Sequence, residues 1–149
     1  MKVAGTLELS ITHHQLVAIA DEMGATLIRS SYSPNIKERQ DLSCAIFDGY
    51  GRMVAQASHI PVHLGAMPLA VEAARKAFKG DHWCPGDIVI LNDPYYGGSH
   101  LPDVTMVSPV FASDGFSENC RLQGFVASRA HQADIGGTSP VSYTHLRAH

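Results

Sequence analysis

The chain reads as an α+β domain. A long helical stripe comes first, then two short strand-like runs joined by an Asp-Gly turn. A second amphipathic helix follows, and after it three more strand-like runs. The class expected is therefore α+β, with the N-terminal helix, the β-hairpin, the second helix and the further strands forming a mixed sheet.

The first helix is expected from about Leu9. Leu9, Leu16, Ile19, Ala20, Met23, Leu27 and Ile28 recur at three- and four-residue steps and make one stripe. Ser10 or Thr12 is the expected cap, and Ser33-Pro34 the expected stop, because a residue before proline avoids the helical region. His13 and His14 fall on the first turn and read as solvent-facing. Residues 35–41 form a polar connection. Leu42 to Phe47 reads as a strand, Asp48-Gly49-Tyr50-Gly51 as a turn, and Arg52 to Ala57 as the returning strand. Together Asp41 to Ala57 is an antiparallel hairpin.

Residues 58–68 read as a loop in which Pro61 fixes the backbone between His59 and His63. Leu69 to Phe78 is the second helix, with Val71, Ala74 and Phe78 inward and Glu72, Arg75, Lys76 and Lys79 outward. Its basic end suits the helix dipole, and Gly80 stops it. Trp83-Cys84-Pro85-Gly86 turns into a strand over Asp87 to Leu91. Further strands run over Val104 to Phe111 and about Leu122 to Ser128.

At 149 residues, 45% hydrophobic and 17% charged, the chain fits one globular domain rather than a disordered segment. A net charge of −3 leaves no basic footprint, which argues against nucleic acid as a partner. The longest apolar run is far short of a membrane span, and the N-terminus lacks the order of a signal peptide, so a cytoplasmic location is the default expectation. Cys44, Cys84 and Cys120 are odd in number and far apart, which suits neither a disulfide framework nor a paired thiolate site.

Function concentrates between Asp87 and Gly137. Twice a strand-like run enters a polar loop with nearby glycines and a His-x-x-Asp: His100 with Asp103, and His131 with Asp134. Imidazole and carboxylate on short loops are what a metal or acid–base site needs.

Four motifs resemble one family. They are Ile36-Lys37-Glu38-Arg39-x-Asp41-x-Ser43-Cys44-Ala45, then Ala57-x-His59-Ile60-Pro61-Val62-His63-Leu64-Gly65, then Leu91-Asn92-Asp93-Pro94-Tyr95-x-Gly97-Gly98-x-His100-Leu101-Pro102-Asp103, and Ser128-Arg129-Ala130-His131. Over about Leu9 to Pro140 they resemble the hydantoinase B/oxoprolinase family. The family includes B-type N-methylhydantoinase chains, the C-terminal half of 5-oxoprolinase and the acetone carboxylase α subunit. The resemblance implies a truncated N-terminal part of a larger subunit, spanning residues 1–140. Residues 141–149 match nothing in the family and read as a non-native tail, derived from an adaptor or vector. Gln132 stands where the family commonly has a second His.

The resemblance also implies the chemistry. An A-type ATPase subunit or domain phosphorylates a carbonyl oxygen of a small cyclic amide, of the hydantoin or 5-oxoproline type. The B-type subunit then processes the activated intermediate, and the assembly is a hetero-oligomer. The alternative within the family is carboxylation of a ketone, as in acetone carboxylase. The expected ligands of a divalent metal are His100, Asp103 and His131, a donor set suited to Mn²⁺, Zn²⁺ or Fe²⁺. His59, His63 and Asp93 are candidates for catalysis, with a turn role equally open to Asp93. Asp134 is a candidate for orienting a ligand histidine. Lys37, Glu38 and Arg39 are candidates for meeting a phosphorylated intermediate. Two readings from other classes stand beside this one: an inactive module retaining only a subunit-interaction surface, and a hydrolase with Cys44 as nucleophile.

Overall fold

The computed structural model describes residues 5–57, 59–78, 83–112 and 121–133. Along these the elements are α1 (Thr6–Ser30), the short α2 (Pro34–Lys37), β1 (Leu42–Asp48), β2 (Met53–Gln56), α3 (Pro61–Ala77), β3 (Val89–Leu91), a 3₁₀ turn (Pro94–Tyr96), β4 (Asp103–Ala112) and β5 (Arg121–His131). The class is α+β, as expected. The strands form one sheet in the order β2-β1-β5-β4-β3.

Every neighbouring pair is antiparallel, so the sheet is not mixed. Adjacent parallel strands need a crossover between them. Here the crossover through α3 leaves β2 at one edge and delivers the chain to β3 at the other. It therefore joins strands that do not touch. β5 then enters between β1 and β4 and runs against both.

The hairpin of β1 and β2 forms where expected. Asp48 closes its turn: Oδ1 accepts from the N–H groups of Tyr50 and Arg52, each at 2.9 Å. Gly51 takes a φ of +82°, a conformation that favours glycine.

α1 starts earlier than the first stripe residue. Its cap is Gly5, whose N–H donates to Glu8 Oε2 at 3.1 Å, so Ser10 and Thr12 lie inside the helix rather than at its start. His13 and His14 are exposed on it, as expected, but well past the first turn.

The larger departure is α3. Pro61 and Pro68 suggest a loop, yet the helix runs through both. Pro61 occupies the first turn, where a missing N–H is harmless. An interior proline such as Pro68 costs roughly 3 kcal/mol. The face made by His63, Leu64, Met67, Ala70, Val71 and Ala74 is buried. At about 1.5–3 kcal/mol for each large apolar side chain, that burial more than offsets the proline. Phe78, expected inward, is exposed and lies against Trp83, their rings 5.0 Å apart.

α1 and α3 cover opposite faces of the sheet. Ala45, Phe47, Val107, Phe125 and Ala127 meet Leu64, Met67, Val71 and Ala74 of α3, with Trp83 closing the cluster. On the other face Leu42, Cys44 and Ala130 meet Ile36 and the Met23, Leu27 and Ile28 side chains of α1. Strand alternation divides the faces. Asp103, Thr105, Arg129 and His131 share the α3 side with Val107 and Ala127, two or four residues away. No helix among the described residues is long and apolar enough to cross a membrane.

Candidate metal centre

The strand ends position the cluster. Asp103 opens β4 and pairs directly with His131 at the end of β5. His131, expected in a loop, is strand. Its N–H donates to Asp41 O at 3.0 Å, and the Gln132 N–H donates to Pro102 O at 2.8 Å. The Asp103 N–H reaches back to His100 O at 2.9 Å, which folds the His100 loop over the strand end.

Three side chains converge there. His131 Nδ1 lies 3.0 Å from Asp103 Oδ1 and 3.1 Å from His100 Nε2. His100 Nδ1 lies 3.3 Å from Asp103 Oδ2. One ligand atom from each residue falls within 4.8 Å of the others. Two donors each about 2.1 Å from one ion lie roughly 3–3.4 Å apart, so this spacing suits a shared divalent ion.

The local electrostatics suit an ion as well. Asp103 is buried, and its Oδ2 has no hydrogen-bond partner. A buried carboxylate oxygen without a partner is costly. A cation bound by His100, Asp103 and His131 would satisfy it. Two imidazoles and a carboxylate favour Mn²⁺, Zn²⁺ or Fe²⁺ over Ca²⁺ or Mg²⁺.

His63 belongs to the surroundings of this cluster. It sits in the first turn of α3, buried, with Nε2 3.5 Å from both Asp41 Oδ1 and Asp103 Oδ2. Burial pushes its pKa down. Asp103 and Asp41 oppose that shift, and Arg129 and His100 add to it. The net direction keeps the imidazole neutral near pH 7.

The structure does not bring His59 or Asp93 into the cluster. Asp93 caps the 3₁₀ turn, its Oδ1 accepting from the Tyr95 N–H at 2.9 Å, which is a turn role. His59 lies between α1 and β1. Its ring occupies the space that a side chain at Gly24 would need, and Nδ1 accepts from the Cys44 N–H at 3.3 Å. An N–H can only donate, so Nδ1 carries no proton. Burial lowers the His59 pKa below the usual 6.5, with Asp21 opposing.

A histidine whose folded pKa is depressed supports the fold above its unfolded value and loses that support as pH falls. Acidification from pH 6.5 is therefore expected to destabilise the protein. The His59 contribution should approach 1.4 kcal/mol per pH unit at most. His59→Asn keeps an acceptor that does not titrate, and denaturant unfolding across this range should show a shallower slope. An unchanged slope would remove His59 from the account.

Cys44 faces the α1 side, away from the cluster, and burial pushes its thiol up to about 11. It is a thiol at neutral pH, which disfavours a nucleophilic role. Lys37, Glu38 and Arg39 are exposed at α2 and just after it. Asp134, Cys120, Gly80 and residues 141–149 lie outside the described residues.

Two contributors escaped sequence reasoning. Asp41 sits in the polar connection before β1 and reaches His63. Arg129 reads as a loop residue but is a fully buried strand residue. Nε donates to Thr105 Oγ1 at 2.7 Å, Nη1 to Ser99 Oγ at 2.6 Å and Nη2 to Gly97 O at 3.3 Å. Burial lowers its pKa and Asp103 raises it. Period-two alternation from Phe125 and Ala127 places Arg129 inward and was the available signal.

Comparison with known proteins agrees with this architecture. Residues 5–148 match the profile of the hydantoinase B/oxoprolinase family, a span that extends into the segment 141–149 that reads as a non-native tail. The chain is 48% identical over 140 residues to 5-oxoprolinase 1 of Arabidopsis thaliana, covering 94% of this chain and 10% of that protein. It is 49% identical over 134 residues to the 5-oxoprolinase of Saccharomyces cerevisiae, covering 90% and 10%. The crystal structure of the ATP-dependent caprolactamase from Pseudomonas jessenii superposes with a TM-score of 0.76 at 30% identity, over 93% of this chain and 23% of that one. The chain thus spans about a tenth of the length of these oxoprolinases. With a match along almost its whole length, the chain belongs to the hydantoinase B/oxoprolinase family.

Proposed function

We propose that this chain is part of a metal-dependent B-type subunit or domain that opens a cyclic amide after ATP-dependent activation. The observation that carries the reading is the convergence of His100, Asp103 and His131 around an unpartnered buried carboxylate oxygen. The names of the relatives support the substrate class, since 5-oxoproline and caprolactam are both cyclic amides. The caprolactamase is described as ATP-dependent, which supports an ATP-using step. An A-type ATPase subunit or domain is the partner that would supply it.

The chain's own residues divide the work. His100, Asp103 and His131 hold the divalent ion, which when bound polarises an oxygen or lowers the pKa of water. Asp103 is the anionic member and is screened from solvent. The His100 and His131 side chains keep 32% and 22% exposure, so substrate meets the cluster from their side. His63 is too deeply buried to reach substrate. It lies beneath the cluster as a neutral imidazole, its Nε2 3.5 Å from both the Asp41 and the Asp103 carboxylate.

The test is metal binding in the full-length protein that contains this chain. Dialysed protein should retain about one divalent ion per chain, removable by chelator. Co²⁺ at a hundredfold excess over its Kd should raise stability by about 2.7 kcal/mol. His131→Ala should lose both the ion and product formation, while ATP hydrolysis by the A-type partner persists. Parent protein that neither holds an ion nor gains stability from Co²⁺ would end the metal reading.

A further inference from the structure

We propose that Arg129 is a positioning residue for the metal cluster, holding His100 in place by tying the Gly97–Ser99 loop to the sheet. The proposal rests on the metal reading above and adds to it a residue that touches neither ion nor substrate.

His100 is the one member of the triad not carried by a strand. His131 ends β5, and Asp103 opens β4 as its direct partner. His100 must instead be placed by its loop. From one side Gly97 packs on α3, where an added Cβ would lie 2.6 Å from Leu69 O. From the other side Arg129 takes the Ser99 hydroxyl and the Gly97 carbonyl, while its Nε is fixed on Thr105 of β4. The guanidinium therefore spans from strand β4 to the residue next to His100.

The chemistry calls for arginine at this point. A fully buried cation is expensive, and an apolar residue of similar volume would serve a purely packing role at lower cost. A planar fork with donors in fixed directions bonds a strand hydroxyl and two loop oxygens at once. A lysine ammonium is a point charge and does not reproduce that geometry.

The test uses the full-length protein with Co²⁺ as the probe. Arg129→Lys keeps the charge and loses the fork. Ser99→Ala removes the shorter of the tether's two loop bonds and leaves the core intact. Two quantities are read: Co²⁺ affinity from its visible absorption, and amide hydrogen exchange of residues 97–103 in metal-free protein. Both variants should bind Co²⁺ about 10–100-fold more weakly. Exchange at 97–103 should quicken while the centres of β4 and β5 stay as protected as in the parent.

Unchanged affinity in both variants, with the parent binding Co²⁺, overturns the positioning role and leaves the metal reading standing. A parent that binds no Co²⁺ removes the metal reading, and the exchange data then decide the tether alone: unchanged exchange overturns it and faster exchange upholds it. Should Arg129→Lys fail to fold, Ser99→Ala carries the same decision.

Discussion

Asp103→Asn is expected to abolish divalent-metal binding while leaving the stability of the metal-free fold within about 1 kcal/mol of the parent. The two halves of this expectation have different causes. Asp103 is the only anion among the three converging residues, so the amide removes the charge that attracts a cation. Changes to groups that merely support ligands cost about 10–100-fold in affinity, and loss of the anionic ligand should exceed that. Stability changes little because two effects oppose: the carboxylate is buried with no hydrogen bond to its Oδ2, and its charge favours the buried Arg129 guanidinium. An asparagine amide in that place faces His63 Nε2 at 3.5 Å and His100 Nδ1 at 3.3 Å, and either nitrogen accepts in the proper neutral tautomer. The Asn oxygen still accepts from His131 Nδ1. Relief of the under-satisfied buried carboxylate then offsets the attraction to the buried Arg129 that the amide gives up. Denaturant unfolding with and without Co²⁺ separates the halves. A metal-free variant several kcal/mol less stable than the parent would make the carboxylate a structural element instead.

Gly97→Ala should destabilise the fold by roughly 2–4 kcal/mol, in the range set by named local defects. Gly97 has a φ of +84°, where an L-residue pays about 1–2 kcal/mol. The larger share comes from contact. An added Cβ lies 2.6 Å from Leu69 O and 2.9 Å from Ala70 Cα. Both are backbone atoms of α3, which cannot swing aside as a flexible side chain would. Gly86 provides the control, with a φ of +93° but nothing within 4 Å of an added Cβ. Gly86→Ala should therefore cost only about 1–2 kcal/mol. The difference between the two melts isolates the close approach of the loop to α3. Equal effects at both positions would show that this contact relaxes freely. Because Gly97 begins the loop that carries His100, its variant should also weaken Co²⁺ binding, and the Gly86 variant should not.

Much of the framework was legible in local patterns. Period-two runs with an Asp-Gly turn specify a hairpin wherever they occur, and β1 and β2 form where those signals lie. The stripe from Leu16 to Ile28 likewise specifies a helix, and Met23, Leu27 and Ile28 are the residues it packs inward. The His-x-x-Asp spacing singled out His100, Asp103 and His131, which the structure brings together. These features depend only on which side chains share a face of one element, and that is written in residue order.

Other features depended on which elements meet. The prolines at 61 and 68 argue locally for a loop, and only the sheet beneath α3 gives its face enough burial to outweigh them. His59 and His63, four residues apart, look like one pair in sequence. The start of α3 separates them, sending His63 down to Asp103 and leaving His59 against Gly24 of α1. Asp103 and His131 meet because β5 enters between β1 and β4, a placement set by sheet order and register rather than by either strand's own composition. Arg129 reads as a loop residue until the same register puts it opposite Thr105, bonded to the Gly97–Ser99 loop. A side chain's periodicity fixes the face it points to, but its partner is chosen by long-range packing, where the burial energy of many residues is larger than any local preference.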